Sequence, residues 1–301
     1  MSKIPAVSVL VPTYNNAQFL DETIQSVLNQ SFPDFELIIV DNQSTDNTQE
    51  VVEAYLTDSR VKYYKNASNL GMVGNWNKCL EYAQGTYIKY LCSDDKFHPD
   101  LLQKFVAVME QYPQVAIVSS YREYFGQKRF KPELPPFTGL RPGKEIIYKS
   151  LQDWNWIGEP TTVMFRRSGL QVGQFKTDYK YFPDWDMWLR LLTTGDCYMI
   201  PETLSYFRLH PNQVTALVMQ NLSNIFEEYY LFKAIKEQNE YKINFQEFDI
   251  DALIKKKAFK CTRAIYRLIP KLKEKRNWSL LTQGISIGFS EKVVLKALTG
   301  M

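Results

Sequence analysis

With 301 residues, 45% of them hydrophobic and 23% charged, the chain has the make-up of a globular protein with one large domain, or one domain and an appendage. Four scattered cysteines (Cys79, Cys92, Cys197, Cys261) without CxxC spacing exclude a disulfide-dense scaffold and suit a reducing compartment. The net charge of +3 is unevenly divided: residues 251–301 carry 12 Lys/Arg against 3 Asp/Glu, whereas residues 1–250 carry 24 against 30. A basic tail on an acidic body points to an anionic partner for the tail, and no nucleic-acid motif accompanies it.

No uncharged apolar stretch approaches the length that spans a bilayer, and Met-Ser-Lys-Ile-Pro leads into a strand-like run rather than a signal peptide. The expectation is a cytoplasmic protein. Ala6–Val11 reads as a strand closed by Pro12, and Leu20, Ile24, Val27 and Leu28 recur at helical spacing between Ala17 and Gln30. Phe35–Val40 is a second buried strand ending at Asp41; Asp46-Asn47-Thr48 caps a helix running to about Thr57. A short strand at Val61–Tyr64, a helix from about Val73 to Ala83, a strand at Tyr87–Cys92, a helix over His98–Gln111 and a strand at Val115–Ser120 continue the alternation. Strands alternating with helices of this length predict an α/β fold with a parallel, doubly wound sheet.

Between Gly126 and Gly143 four prolines break the pattern, and a strand (Thr161–Phe165) and a helix (Trp185–Thr193) follow. From about Asn221 the periodicity is helical throughout. The domain division expected is 1–215 and 216–301, the second a helical, basic C-terminal appendage.

Ser93-Asp94-Asp95 would sit just past the carboxyl end of the strand at Tyr87–Cys92. Ligands of open α/β sheets bind there, and two adjacent carboxylates need a cation or a proton to share. A solvated turn or helix cap is the plainer alternative for the pair alone.

The sequence Val7-Ser8-Val9-Leu10-Val11-Pro12-Thr13-Tyr14-Asn15, then Leu37 to Asp46, Asn69-Leu70-Gly71, Ala83-Gln84-Gly85 and Ser93-Asp94-Asp95 resemble, in order and spacing, the family 2 glycosyltransferases of GT-A fold. Pro183 to Arg190 and Tyr206 to His210 complete the resemblance, which spans residues 5 to about 215. It implies a nucleotide-sugar donor, inversion at the anomeric carbon and Mn²⁺ or Mg²⁺ as cofactor. Carried over by position, Pro12, Thr13, Tyr14 and Asn15 contact the nucleoside. Asp41 accepts the N3–H of a pyrimidine, which favours UDP or dTDP; otherwise it caps the Ser44-Thr45-Asp46 turn. Asp95 binds the metal and Asp94 faces the ribose or the metal's water shell. Asp184 is the general base, with Asp186 as rival; on a helix their side chains diverge by roughly 200°. Arg208 and His210 meet the diphosphate, and His210 is also a metal ligand. Trp154, Trp156, Glu159 and Thr161 form the acceptor side. His98 reads as a surface or capping residue.

Three departures stand out. Cys92 occupies a position where the family often has another Asp, Pro183 one where it has Glu, and Trp76 one where many relatives have Arg, with Lys78 as a candidate substitute. The acceptor implied is a hydroxyl of a saccharide or lipid-linked saccharide in polysaccharide biosynthesis. The competing reading is a non-catalytic GT-A domain serving as a membrane-associated assembly or glycan-binding subunit. A nucleotidyltransferase and a dehydrogenase are disfavoured, because no glycine-rich phosphate loop follows the first strand.

In the tail, Ile254, Ala258, Cys261, Ile265 and Leu268 form one helical stripe, with Lys256, Lys260, Arg263 and Arg267 on another face. Residues 277–290, with Trp278, Leu280, Leu281, Ile285, Ile287 and Phe289, carry no charge. They can lie on an anionic membrane surface at the inner face, or pack on the protein or a second subunit of a homo-oligomer.

Overall fold

The computed structural model describes residues 4–211, 213, 222–269 and 275–294. The side chains of Arg267, Leu268 and Asn277, and the division expected near residue 216, lie outside that description. The chain forms two compact units, one holding residues up to Thr177 together with Pro183–His210, the other Asp178–Phe182 and residues from Pro211 onward.

The first unit is built on a nine-stranded sheet. β1 (Val7–Thr13), β2 (Phe35–Asp41), β3 (Val61–Lys65) and β4 (Tyr87–Tyr90) lie side by side, all parallel, in the order β3-β2-β1-β4. β1 and β2 are buried almost throughout, as their near-continuous Val/Ile/Leu runs require of parallel strands covered on both faces. α1 (Ala17–Leu28) lays Leu20, Ile24 and Val27 into the main core, where α4 (Leu101–Gln111) adds Leu102, Phe105 and Met109. α2 (Thr48–Glu53) and α3 (Gly71–Tyr82) complete the alternation.

Beyond β4 the sheet becomes mixed. β5 (Lys96–Phe97) pairs antiparallel with β9 (Asp196–Leu209), and β6 (Val115–Gly126) runs parallel to β9. β7 (Gly139–Arg141) adds an antiparallel edge on β9, and β8 (Met164–Arg166) lies antiparallel between β4 and β6. A helix, α5 (Gly143–Gln152), precedes β8, and α6 (Pro183–Leu191) follows it.

Several sequence expectations change in detail. The strand expected to reach Cys92 stops at Tyr90, so residues 91–95 form a turn over the sheet edge. The strand expected at Thr161–Phe165 is a 3₁₀ turn, Pro160–Thr162, followed by β8. The segment between Gly126 and Gly143, where prolines break the pattern, includes β7.

Two local devices fix the parallel core. Glu36, buried on β2, accepts from the Ser8 hydroxyl (2.5 Å), Lys62 Nζ (2.7 Å) and the Gln84 amide (2.8 Å). A Cβ on Gly85 would lie 2.4 Å from the Ser8 amide nitrogen, so only glycine lets this turn close on β1.

Candidate active site

The carboxyl ends of β1, β2 and β4 converge on the acidic turn. Asp46 ties the first two loops together: one oxygen accepts the Ala17 amide at the start of α1 (3.0 Å), the other the Thr48 hydroxyl (2.6 Å). Asn15, at φ 51°, accepts the Thr45 amide (2.8 Å), and its own amide donates to the Ser44 hydroxyl (2.9 Å). Tyr14 is exposed beside it, while Thr13 is buried.

Asp41 is fully buried, with one oxygen accepting the Ser44 amide (2.7 Å) and the other the Tyr63 hydroxyl (2.8 Å). Lys65 Nζ stands 3.8 Å away. These bonds are those of the turn-capping alternative. Nearby, Asn42, Asn66, Asn69 and Asn75 form one side-chain network that holds the Asn69-Leu70-Gly71 turn against β2. Adjacent motifs in the sequence are thereby joined in space by amides satisfied on both ends.

The two members of the acidic pair differ sharply. Asp95 is buried: its oxygens accept the Thr161 hydroxyl (2.6 Å) and the Arg208 backbone amide (2.8 Å). Burial, and then the neighbouring Asp94 charge, push its carboxyl well above the usual range. Asp94 is more open and meets His210 Nε2 at 2.9 Å. The ligand atoms of Cys92, Asp94 and Asp95 all lie within 4.8 Å of one another. Burial raises the Cys92 thiol, and the charges of Asp95, Asp94 and Asp184 add to that shift.

Arg208 grips the turn. Its Nε donates to the Asp94 carbonyl (2.7 Å), its Nη2 pairs with Glu22, and its guanidinium lies 4.7 Å from the Phe19 ring centre and 4.3 Å from that of Phe125. The His210 ring also packs on Phe19. β9 thus delivers both residues to the turn, although no strand was expected before Tyr206.

Asp184 and Asp186 separate as helical geometry requires. Asp186 is fully buried and bound by Arg190 Nη2 (2.7 Å) and Nε (2.9 Å), which leaves it a structural charge. Asp184 is partly exposed at the first turn of α6 and accepts the Trp185 amide (2.8 Å). On the expected acceptor side, Trp154 is 57% exposed and Trp156 donates to Asp153 (2.9 Å). Glu159 pairs with Arg122 of β6 (2.9 Å), and its charge is felt at Asp95. Thr161 is buried beneath the acidic turn, where it also receives the Cys92 amide (3.2 Å). His98 Nδ1 accepts the Asp100 amide (3.2 Å) at the start of α4, as a capping residue does. Lys78 pairs with Glu81 (2.5 Å), and Trp76 is packed against Tyr90 and Phe175.

Lys89 was read only as part of an apolar strand. It is fully buried, and its ammonium donates to the carbonyls of Tyr90 (3.0 Å), Pro160 (3.3 Å) and Thr161 (2.5 Å). It also faces the rings of Phe97 and Phe105. Burial drives its pKa well below the usual lysine range, opposed by the Cys92 and Asp95 charges. A lysine interrupting a strand's apolar run was the signal available in the sequence.

Residues 8–173 match the family described as Glycosyl transferase family 2. The chain is 33% identical over 215 residues to the Bacillus subtilis protein named for teichuronic acid biosynthesis, TuaG, covering 70% of this chain and 82% of TuaG. It is 28% identical over 248 residues to the GalNAc(5)-diNAcBac-PP-undecaprenol beta-1,3-glucosyltransferase of Campylobacter jejuni, covering 80% and 77% of the two chains. Among solved structures, S. aureus TarS in complex with UDP-GlcNAc superposes with a TM-score of 0.64 at 17% identity, over 98% of this chain and 92% of that one. With the parallel half-sheet, the acidic turn and these relatives in register, the chain belongs to the family 2 glycosyltransferases and has their GT-A fold.

Proposed function

We propose that the enzyme moves a sugar from a nucleoside diphosphate donor, UDP or dTDP in preference, to a hydroxyl of a saccharide or lipid-linked saccharide in glycan assembly. The observation that carries this reading is the Asp94–His210 contact just past the carboxyl end of β4. The names of the relatives support the acceptor class, one naming an undecaprenol-linked glycan and one teichuronic acid biosynthesis. TarS, of the same fold, holds UDP-GlcNAc.

The carboxylates and the imidazole at the turn suit Mn²⁺ or Mg²⁺, whereas the Cys92 thiol, held protonated, is a poor ligand for either. We assign that role to Asp95 and His210, with Asp94 beside them; each Asp95 oxygen accepts one hydrogen bond and keeps a lone pair. Such an ion supplies positive charge to the departing diphosphate. The pyrimidine would read the end of β2, where Asp41 keeps lone pairs beyond its two hydrogen bonds.

Asp184 takes the proton of the acceptor hydroxyl as that oxygen attacks the anomeric carbon. The bond from that carbon to the phosphate oxygen breaks, and the electron pair leaves with the nucleoside diphosphate, inverting the centre. Trp154 offers an exposed ring face to a sugar on the acceptor side.

Thermal stabilisation by UDP, dTDP and GDP, each with and without Mn²⁺ or Mg²⁺, tests the reading. Metal-dependent stabilisation by UDP or dTDP is expected, lost in Asp95→Asn. Asp184→Asn should keep that stabilisation and lose sugar transfer. Folded protein that no nucleotide stabilises would remove the donor site.

A further inference from the structure

Among the described residues the second unit holds three helices: α7 (Ser223–Gln238), α8 (Ile250–Leu268) and α9 (Lys275–Ser290). α8 and α9 pack closely through glycine. A Cβ on Gly284 would lie 3.0 Å from Ile265 Cγ1, and one on Gly288 2.7 Å from Thr262 Oγ1. α7 covers one side of this pair. There Lys257 is buried against Glu228 (2.5 Å), Lys260 reaches the same carboxylate (3.7 Å), and Glu291 meets the Tyr229 hydroxyl (2.9 Å). Lys260 therefore belongs to the packing rather than to the free basic face read from the sequence.

Among the described residues no helix covers the opposite side. Trp278 (54% exposed), Ile285 (41%) and Phe289 (68%) stand there on α9. At 100° per residue they fall within about 40° of one another, roughly a quarter turn from the Gly284–Gly288 seam. On α8 the exposed Lys255, Arg263 and Tyr266 lie a comparable turn from Cys261, Thr262 and Ile265, which face that seam. Glu291, just past α9, meets α7 at Tyr229, beside the Glu228 that Lys257 pairs with, whereas Gly284 meets Ile265. The two helices are therefore antiparallel, and the two exposed sets project to the same side, away from α7.

We propose that this face binds an anionic lipid surface. Three large apolar side chains on one line, beside exposed Lys255 and Arg263, supply the two signals that stable interfacial attachment needs. The sequence around them is basic: residues 251–301 carry 12 Lys/Arg against 3 Asp/Glu. A self-association surface of the same area would face its own positive charge, whereas phosphatidylglycerol complements it. Among the described residues no helix is long and apolar enough to cross a membrane, so the contact is with the surface. This inference does not depend on the transfer reaction.

The test is co-flotation of the full chain with phosphatidylcholine vesicles, with and without phosphatidylglycerol, alongside sedimentation velocity of the protein alone. Binding is expected only with phosphatidylglycerol and should weaken with salt. Lys255→Gln and Arg263→Gln should each lower the partition coefficient about fivefold. Phe289→Asp, at an exposed position that leaves the helix packing intact, should lower it by more than tenfold. Failure of the wild-type chain to float would overturn the proposal. So would equal binding to pure phosphatidylcholine, or a dimer that Phe289→Asp dissociates without any vesicle binding. Nucleotide-induced stabilisation, measured on the same samples, reports the donor site separately.

Discussion

Replacing Arg208 by Met tests whether this side chain clamps the acidic turn or serves the donor's phosphates. The substitution keeps an apolar stem between Phe19 and Phe125 and removes the guanidinium. Lost is a charge-assisted hydrogen bond to the Asp94 carbonyl at 2.7 Å, worth about 1.5–3 kcal/mol. The pair with Glu22, whose side chain is 45% exposed, adds at most about 1 kcal/mol after solvent screening. Two ring faces at 4.7 and 4.3 Å add about 0.5–1 kcal/mol each, partly recovered by the thioether. The sum, about 3–5 kcal/mol, is a large part of a typical domain's stability. Urea unfolding without nucleotide should show that loss as a lower midpoint at constant slope, with Arg208→Lys in between. A variant as stable as wild type that no longer binds UDP with Mn²⁺ would refute the clamp and return Arg208 to the phosphates.

Three further outcomes follow from the packing. Lys62, Ser8 and the Gln84 amide outweigh burial and hold Glu36 below the usual carboxylate pKa, so its contribution is present above the unfolded value and lost as pH falls through the folded one. Glu36→Gln should therefore cost about 1–3 kcal/mol at neutral pH in urea titrations, with the gap to wild type closing below about pH 4; a gap independent of pH would contradict it. Lys89→Met strips donors from three buried carbonyls and should lower stability by about 2–4 kcal/mol, measured the same way; a loss under about 1 kcal/mol would mean that the carbonyls find other donors. Gly158 has φ 108°, and a Cβ there would lie 2.2 Å from Thr162 Oγ1, so Gly158→Ala should lower the melting point by a strain of about 1–3 kcal/mol; an unchanged melting point would show that the turn relaxes.

What the sequence made legible follows its local grammar. β1, β2 and β4 could be read because parallel strands buried on both faces are written as mostly apolar runs, and α1 because Leu20, Ile24 and Val27 repeat at helical spacing. The second half of the sheet was obscure for the opposite reason. β9 mixes Asp, Glu, Pro and Arg with aromatics and draws its partners β5, β6 and β7 from distant parts of the chain. Its pattern alone carries no clear period, and pairing rather than propensity makes it a strand. Helical geometry required only that Asp184 and Asp186 diverge, and the pair with Arg190 at i+4 keeps Asp186 buried.

The acidic turn itself shows where local reading stops. Two adjacent aspartates look equivalent in sequence, yet Thr161 and the Arg208 amide, 66 and 113 residues away, bury one and leave the other open beside His210. Lys89 follows the same logic: its acceptors on Pro160 and Thr161 are 71 and 72 residues on, so the chain near it shows only a lysine within an apolar run and not what holds it. Thr161 links the two. Its carbonyl accepts a hydrogen bond from Lys89 Nζ while its hydroxyl donates to Asp95 and accepts from the Cys92 amide, so the buried lysine and the acidic turn share one residue. The family pattern often has an aspartate where this chain has Cys92. The substitution exchanges a carboxylate for a thiol that burial and neighbouring charges keep protonated, which lowers the negative charge that the turn must hold together.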